Sequence, residues 1–274
     1  MNIPGAPNAA SAVRRLAPAW DWRVTIVAFS VLAWLLLLLL MAGMDRGPGT
    51  RLHALPLFLV GWVLMLTAMM LPSELTYIGA LGSLLEAREP RRVAGSRTLL
   101  FFVAGYGLAW LGYGLIAYLL DAAIRLVHLG FVSWVRSGPL LAGAALIGAG
   151  VYQISPLKQV CLTHCRSPLA FLARHWRDGR LGAVGMGFRH GVVCVGCCWA
   201  LMAVMFVVGA MNLTWMALLT VLMFAEKVLP EGQKLAVPSA CFLAAMGLWI
   251  AISPETAPLL KAPLVFVSSF CRAF

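Results

Sequence analysis

The sequence VTIVAFSVLAWLLLLLLM, residues 24–41, is a long apolar run without a charged residue. Its length is close to the ~20 residues that a helix needs to cross the hydrocarbon core of a bilayer. The basic residues Arg14, Arg15 and Arg23 precede it, as in a secretory signal peptide, but the run is long enough to span and lacks a convincing cleavage site of small residues. We therefore interpret it as a first transmembrane helix.

The composition of the whole chain agrees with a membrane protein. Hydrophobic residues make up 62% of the sequence and charged residues 11%, and the mean hydropathy is +0.90. Such a composition does not fit a water-facing surface. It predicts an all-α, polytopic membrane helical bundle of about seven transmembrane helices, with a transmembrane domain over residues 24–252 and tails at 1–23 and 253–274. The predicted spans are 24–44, 54–71, 98–120, 139–155, 190–211, 214–229 and 235–252, the second continuing past Pro72 to about Leu85 as a kinked or amphipathic extension.

The distribution of basic residues predicts the orientation of these helices. The chain has a net charge of +11 and 21 Lys and Arg residues, of which fifteen fall on the side of the N-terminus if seven spans are assumed. Because cytoplasmic loops are enriched in Lys and Arg, the N-terminus is predicted to be cytoplasmic in a bacterial inner membrane. The basic excess thus indicates the lipid bilayer as a partner rather than nucleic acid, and residues 156–189 form the main cytoplasmic loop.

Two groups of cysteines stand out in this apolar sequence. Cys161 and Cys165 flank His164 in the predicted cytoplasmic loop, and three cysteines fall within the five residues Cys194–Cys198 of the fifth span. Cysteines in or beside apolar segments do not indicate a disulfide framework. Thiolates are soft ligands suited to Cu(I), Zn or iron–sulfur clusters, and histidine adds nitrogen donors. On a helix, His190 and the cysteines that follow it are three to four residues apart and share one face.

Further candidate donors are expected at the same depth of the membrane. The second helix descends to the cytoplasmic side with three methionines, and the sixth brings Glu226 and Lys227 there. Apolar methionines are also common gap fillers, and a Glu226–Lys227 pair could simply end a helix at the interface. The predicted metal-ligand set is Cys161, His164, Cys165, His190, Cys194, Cys197, Cys198, Met65, Met69, Met70 and Glu226.

The same residues resemble a known family. The segments on which the resemblance rests are Ala68–Pro72, Tyr152–Pro168, Gly187–Gly191, Cys194–Trp199, Met211–Leu213 and Glu226–Lys227. Over residues 61–230 the chain resembles the DUF2182 family of bacterial integral membrane proteins, which is described as predicted metal-binding. The resemblance implies a membrane fold and a metal, without naming the metal or a reaction. Glu74, after Pro72, departs from the family's usual pattern. It could be an extra ligand or an interfacial charge, and we favour the interfacial charge.

Three functions are compatible with these features. Thioether and thiolate donors together fit Cu(I) best, which predicts a copper-binding protein in metal transport, sensing or delivery to a protein partner. The first alternative is a membrane thiol-disulfide oxidoreductase that uses Cys194 and Cys197. The second is a non-catalytic subunit or scaffold of a membrane complex. The sequence contains no recognisable triad, phosphate loop or paired catalytic carboxylates, which favours a role other than catalysis.

Overall fold

A computed structural model describes residues 22–41, 54–88, 92–126, 134–208 and 213–253. In these ranges the regular structure is entirely helical. The tails predicted at 1–23 and 253–274 lie almost wholly outside the described residues. The α-helices are α1 (Trp22–Met41), α2 (Leu55–Met69), α3 (Leu75–Arg88), α4 (Arg92–Leu126), α5 (Trp134–Gln153), α6 (Pro156–Cys165), α7 (Pro168–His175), α8 (Gly179–Val208), α9 (Leu213–Val228) and α10 (Ala236–Ile252).

Several of these helices have the length and composition of membrane spans. Four qualify on their own, in α1, α4, α8 and α10, and two bent pairs, α2 with α3 and α5 with α6, raise the number to as many as six. The predicted span 214–229, the sixth in chain order, corresponds to α9, which has 16 residues. At ~1.5 Å per residue α9 is about 24 Å long, short of the ~30 Å hydrocarbon core. The described residues thus contain four to six candidate spans, and seven stays a prediction.

Both bent pairs break at a proline. Pro72 lies in a short 3₁₀ turn, Leu71–Glu74, where the chain bends by 48° between α2 and α3. Pro156 begins α6 after a bend of 66°. Proline lacks the N–H that would continue the preceding helix, and Ser155 caps the new helix by accepting a hydrogen bond from the Lys158 N–H at 3.2 Å. The kink predicted at Pro72 is therefore present.

Small residues bring the long helices into close contact. A Cβ on Gly187 of α8 would collide with the backbone carbonyl of Phe102 in α4, and a Cβ on Gly105 would collide with the carbonyl of Val184. In lipid the hydrophobic effect between helices is weak, so such close backbone contact is a main source of helix association. The α4–α8 pair therefore forms a rigid support for the side chains that α8 presents.

The segment 156–189, which we predicted to be a loop, is largely helical. It contains α6, α7 and the first turns of α8. Phe171 and Leu172 of α7 are buried against Tyr77 and Leu81 of α3. The segment therefore folds back onto the bundle, and α6 is held against the middle of α8.

Candidate metal centre

Helix α8 presents a buried row of nucleophilic side chains. His190, Cys194, Cys197 and Cys198 follow each other at helical spacing and are at most 2% exposed. Because side chains three and four residues apart lie on the same helix face, the row predicted from the sequence forms on α8. Its cysteines are free thiols.

Helix α6 contributes the thiol that completes a cluster. The Sγ atoms of Cys165, Cys194 and Cys197 all lie within 4.8 Å of one another, and all three residues are buried. Cys165 Sγ is 3.6 Å from Cys197 Sγ, and Cys198 Sγ is 3.2 Å from Cys197 Sγ. We call Cys165, Cys194 and Cys197 the trithiol cluster.

The spacing of the trithiol cluster suits a metal ion. Metal–thiolate bonds are ~2.3 Å long, so three sulfurs in a plane around one ion are about 4 Å apart. The observed Sγ separations, all within 4.8 Å, require only small adjustments to meet that geometry. Three soft sulfur donors in an apolar enclosure are a donor set for a soft ion such as Cu(I), and a hard ion such as Mg²⁺ would find no oxygen shell in this cluster.

A buried ammonium group lies beside the cluster. Lys227 Nζ of α9 is 3.0 Å from Cys194 Sγ, 3.3 Å from Glu74 Oε1 and 3.1 Å from Ser73 Oγ. Three thiolates and one Cu⁺ carry two negative charges together. A buried excess of charge is costly unless it is paired, and Lys227 supplies a positive charge where it is needed.

Glu74 is a buried partner in this network. We predicted an interfacial charge, but Glu74 is only 4% exposed, so that interpretation is wrong. The 3₁₀ turn at Pro72 directs Glu74 inward, where its Oε2 is 2.6 Å from His190 Nε2. The physical reason is the break in the helix, which changes the direction of every side chain that follows Pro72.

His190 belongs to the surroundings of the cluster. Its ring stacks on Tyr77 with centroids 3.7 Å apart, and its Nδ1 has no hydrogen-bond partner among the described residues. It is not part of the group of ligand atoms that lie within 4.8 Å of one another. Histidines that bind metals commonly donate their other N–H to a carboxylate, so the Glu74 contact orients this ring and leaves one nitrogen lone pair available.

A comparison with known protein families bears on this cluster. Residues 59–250, more than two thirds of the chain, match the family PpoB2, described as a copper chaperone. The chain belongs to the PpoB2 copper chaperone family. The resemblance drawn from the sequence is thereby supported as far as a copper-related family, and the name DUF2182 stays a prediction. No curated protein and no solved structure matches the chain significantly.

The matched range includes the predicted donors that lie outside the trithiol cluster. Cys161 is half-buried, and a Cβ on Gly196 would lie 2.8 Å from its Sγ, so the glycine allows α6 to approach α8. The side chain of His164 is exposed, and its Nδ1 bonds to the Val160 carbonyl of its own helix at 2.8 Å. Neither residue belongs to the trithiol cluster, and a part for either in metal handling stays a prediction.

The three predicted methionine donors lie in α2 and directly after it. Met65, Met69 and Met70 are all buried in the apolar core that also contains the cysteines. Met70 is 1% exposed, and its Sδ lies 3.7 Å from Lys227 Nζ. Met70 thus contacts the same ammonium as Cys194, which makes it the methionine with a described link to the cluster.

Glu226 takes part in a separate buried network. Its Oε2 is 2.6 Å from Lys158 Nζ, and its Oε1 accepts from Gln153 Nε2 at 2.6 Å and from Ser239 Oγ at 3.4 Å. The expected Glu226–Lys227 pair is therefore wrong, because neighbouring residues of a helix point about 100° apart. Glu226 binds the α5–α6 side of the bundle, and Lys227 binds the α8 side.

Several residues of the site were not predicted from the sequence. They are Ser73, Glu74 and Tyr106, and the Tyr106 hydroxyl is 3.2 Å from Cys194 Sγ. Charged residues inside apolar segments are a signal of function in membrane proteins, and Glu74 carries that signal. Tyr106 carries none, because a tyrosine in an apolar helix is common.

Proposed function

We propose that this protein is a multi-pass inner-membrane copper chaperone that holds Cu(I) on Cys165, Cys194 and Cys197 and passes it to a protein partner. The observation that supports this most strongly is the trithiol cluster, in which two helices far apart in sequence bring three buried sulfurs within 4.8 Å of one another. The copper chaperone family of the chain supports the choice of metal and the delivery to a partner. Copper is here the cargo of the protein.

The surroundings of the cluster favour a monovalent soft ion that is held and then released. Cys194 and Cys197 are at most 1% exposed and Cys165 is 8% exposed, so water is largely excluded from the metal. Thiols must lose their protons when they bind a metal, and the ammonium of Lys227 stabilises the thiolate of Cys194 electrostatically. Additional donors that could take part in copper transfer lie beside the trithiol cluster or in its surroundings. They are Met70, Cys198 and His190.

Helix length and charge distribution support the proposed location in the membrane. Four to six described helices are long and apolar enough to cross a bilayer, and the excess of Lys and Arg on one side favours a cytoplasmic N-terminus. The segment 156–189, and with it Cys165, would then lie at the cytoplasmic side. Labelling by a membrane-impermeant reagent that places this segment outside the cytoplasm would contradict the orientation.

A titration of the purified protein tests the copper function. The protein is prepared anaerobically in detergent and titrated with Cu(I) against a chromophoric Cu(I) chelator. We expect one tightly bound Cu(I) per chain, and none in the Cys165→Ser/Cys194→Ser/Cys197→Ser variant, because serine offers a hard neutral oxygen in place of a soft thiolate.

The matched control is Cys241→Ser, which removes an exposed cysteine of α10 outside the trithiol cluster and should bind Cu(I) as the unaltered protein does. Absence of copper in the unaltered protein would contradict the proposal. So would equal copper in the triple variant. A metal-free protein whose thiols form a disulfide at a defined potential would instead favour the oxidoreductase.

A further inference from the structure

Helices α6, α7 and α8 enclose a surface cleft with two lobes. The lobes have volumes of about 240 and 420 Å³. His164, Phe171 and His175 line both of them. Two imidazole rings from different helices therefore border the same cleft.

Both imidazole rings are oriented as in metal-binding histidines. His164 Nδ1 is 2.8 Å from the Val160 carbonyl, and His175 Nδ1 is 3.1 Å from the Phe171 carbonyl. A carbonyl only accepts, so Nδ1 is the donor in each case, and in the neutral ring Nε2 keeps its lone pair. A histidine that binds a metal commonly donates the N–H of one ring nitrogen to a backbone carbonyl and uses the lone pair of the other nitrogen for the metal.

The cleft lies directly beside the trithiol cluster. His164 immediately precedes Cys165 on α6, and Val193, which lines the larger lobe, immediately precedes Cys194 on α8. The Tyr77 hydroxyl donates to the His164 carbonyl at 2.7 Å and fixes the backbone at this point. Adjacent residues of α6 and of α8 therefore belong to the cleft and to the trithiol cluster.

We propose that His164 and His175 form a loading site that takes Cu(I) from solution and passes it inward to the trithiol cluster. The proposal rests on the copper function proposed above and assigns the cleft a step of its own. The trithiol cluster is nearly closed to solvent, with exposures of 8% or less, so an incoming ion needs an intermediate site.

The charge around the cleft makes its affinity low, as a transfer site requires. Arg174 lines one lobe and Arg189 the other, and both are exposed. Their charges oppose a cation, although solvent screens them. A site on a transfer route must bind well enough to admit the ion and weakly enough to release it. Two imidazoles near two arginines bind a soft cation less tightly than three thiolates do.

The transfer is a ligand exchange without electron transfer. The bonds from Cu(I) to the two Nε2 atoms break as bonds to Cys165, Cys194 and Cys197 form. Copper remains Cu(I), and the protons of the thiols leave to solvent through the cleft. The step needs no oxidant or reductant.

The test separates the rate of copper loading from the affinity for copper. The double variant His164→Asn/His175→Asn removes both Nε2 atoms, while the asparagine amide can still donate to the same carbonyl. Apo-protein in detergent is mixed anaerobically with a Cu(I)–chelator complex in a stopped-flow instrument. We expect the loading rate constant to fall at least about tenfold, because the local concentration of copper beside the cluster is lost, with the equilibrium Cu(I) affinity unchanged. Arg174→Gln, the control in the same cleft, should load at least as fast as the unaltered protein.

Each other result has a defined meaning. Equal loading rates with normal copper binding would overturn the loading site and leave the copper function intact. A loss of equilibrium affinity in the double variant would make the histidines permanent ligands and would also overturn it. Slow loading in Arg174→Gln with normal loading in the histidine variant would show an anion-docking cleft instead. Absence of copper binding in the unaltered protein would overturn both proposals.

Discussion

Replacing Cys194 by serine is expected to weaken Cu(I) binding by more than the roughly 10–100-fold that loss of an outer contact to a metal site costs. Cys194 is a member of the trithiol cluster, and its Sγ also contacts Lys227 Nζ at 3.0 Å and the Tyr106 hydroxyl at 3.2 Å. The substitution removes a soft donor and leaves the buried ammonium without its thiolate partner. Competition with a chromophoric Cu(I) chelator measures the change.

The other cysteines provide graded controls for this experiment. Cys198→Ser removes a sulfur that is adjacent to Cys197 but outside the trithiol cluster, so a smaller loss of affinity is expected. Cys161→Ser should have a smaller effect than Cys194→Ser for the same reason. Equal losses for all three variants would mean that the three sulfurs of the cluster have no special role.

Replacing Lys158 by methionine is expected to lower the free energy of unfolding by about 3–5 kcal/mol, the cost of leaving one member of a buried ion pair alone. Lys158 is fully buried, and its Nζ is 2.6 Å from Glu226 Oε2 and also donates to Gln153 Oε1. Without the ammonium, the Glu226 carboxylate is buried with only amide and hydroxyl partners. Unfolding by SDS titration of the detergent-solubilised protein measures the change.

Two further variants make this second result specific. Lys158→Met/Glu226→Met removes both charges and should be closer to the unaltered protein than Lys158→Met, because replacing a whole buried pair by apolar residues is often neutral. Lys234→Met breaks the exposed Lys234–Glu231 pair, whose side chains are 74% and 72% exposed, and should change stability by less than about 1 kcal/mol. A double variant that is less stable than the single one would contradict this explanation.

The Lys158 network also determines where Cys165 lies. Lys158 holds the start of α6 to Glu226, and Arg166, at its end, donates to the Glu226, Leu229 and Pro230 carbonyls at 2.5–2.7 Å. Arginine side chains commonly bond the last carbonyls of a helix in this way. Cys165 lies between these two attachments, so the C-terminal end of α9 fixes its distance from α8.

The long helices were predictable because the length of an apolar run indicates the length of the membrane helix that it forms. The run at 235–252, for example, corresponds to α10, Ala236–Ile252. Helix α8 begins at Gly179, well before the predicted start at 190. Its first turns are rich in glycine and arginine, so hydropathy does not reveal them. The short helices α6 and α7 were missed for a similar reason, since neither is long enough to give a membrane-span signal.

The arrangement of the site residues was predictable for those that lie on the same helix. The spacing of Cys194 and Cys197 alone places both sulfurs on one face of α8. The partner of a charged residue was not predictable, because it depends on how each helix is rotated in the bundle. Adjacency in the sequence indicates a pair of Glu226 and Lys227, whereas packing directs Glu226 to Lys158 and Lys227 to Glu74.

X-ray absorption at the copper edge of the Cu(I)-loaded protein tests the central proposal most directly, because it counts and identifies the atoms bound to the metal. We expect three sulfur neighbours at about 2.3 Å, and two in the Cys165→Ser variant. A first shell of nitrogen and oxygen, or a sulfur count that Cys165→Ser leaves unchanged, would contradict it.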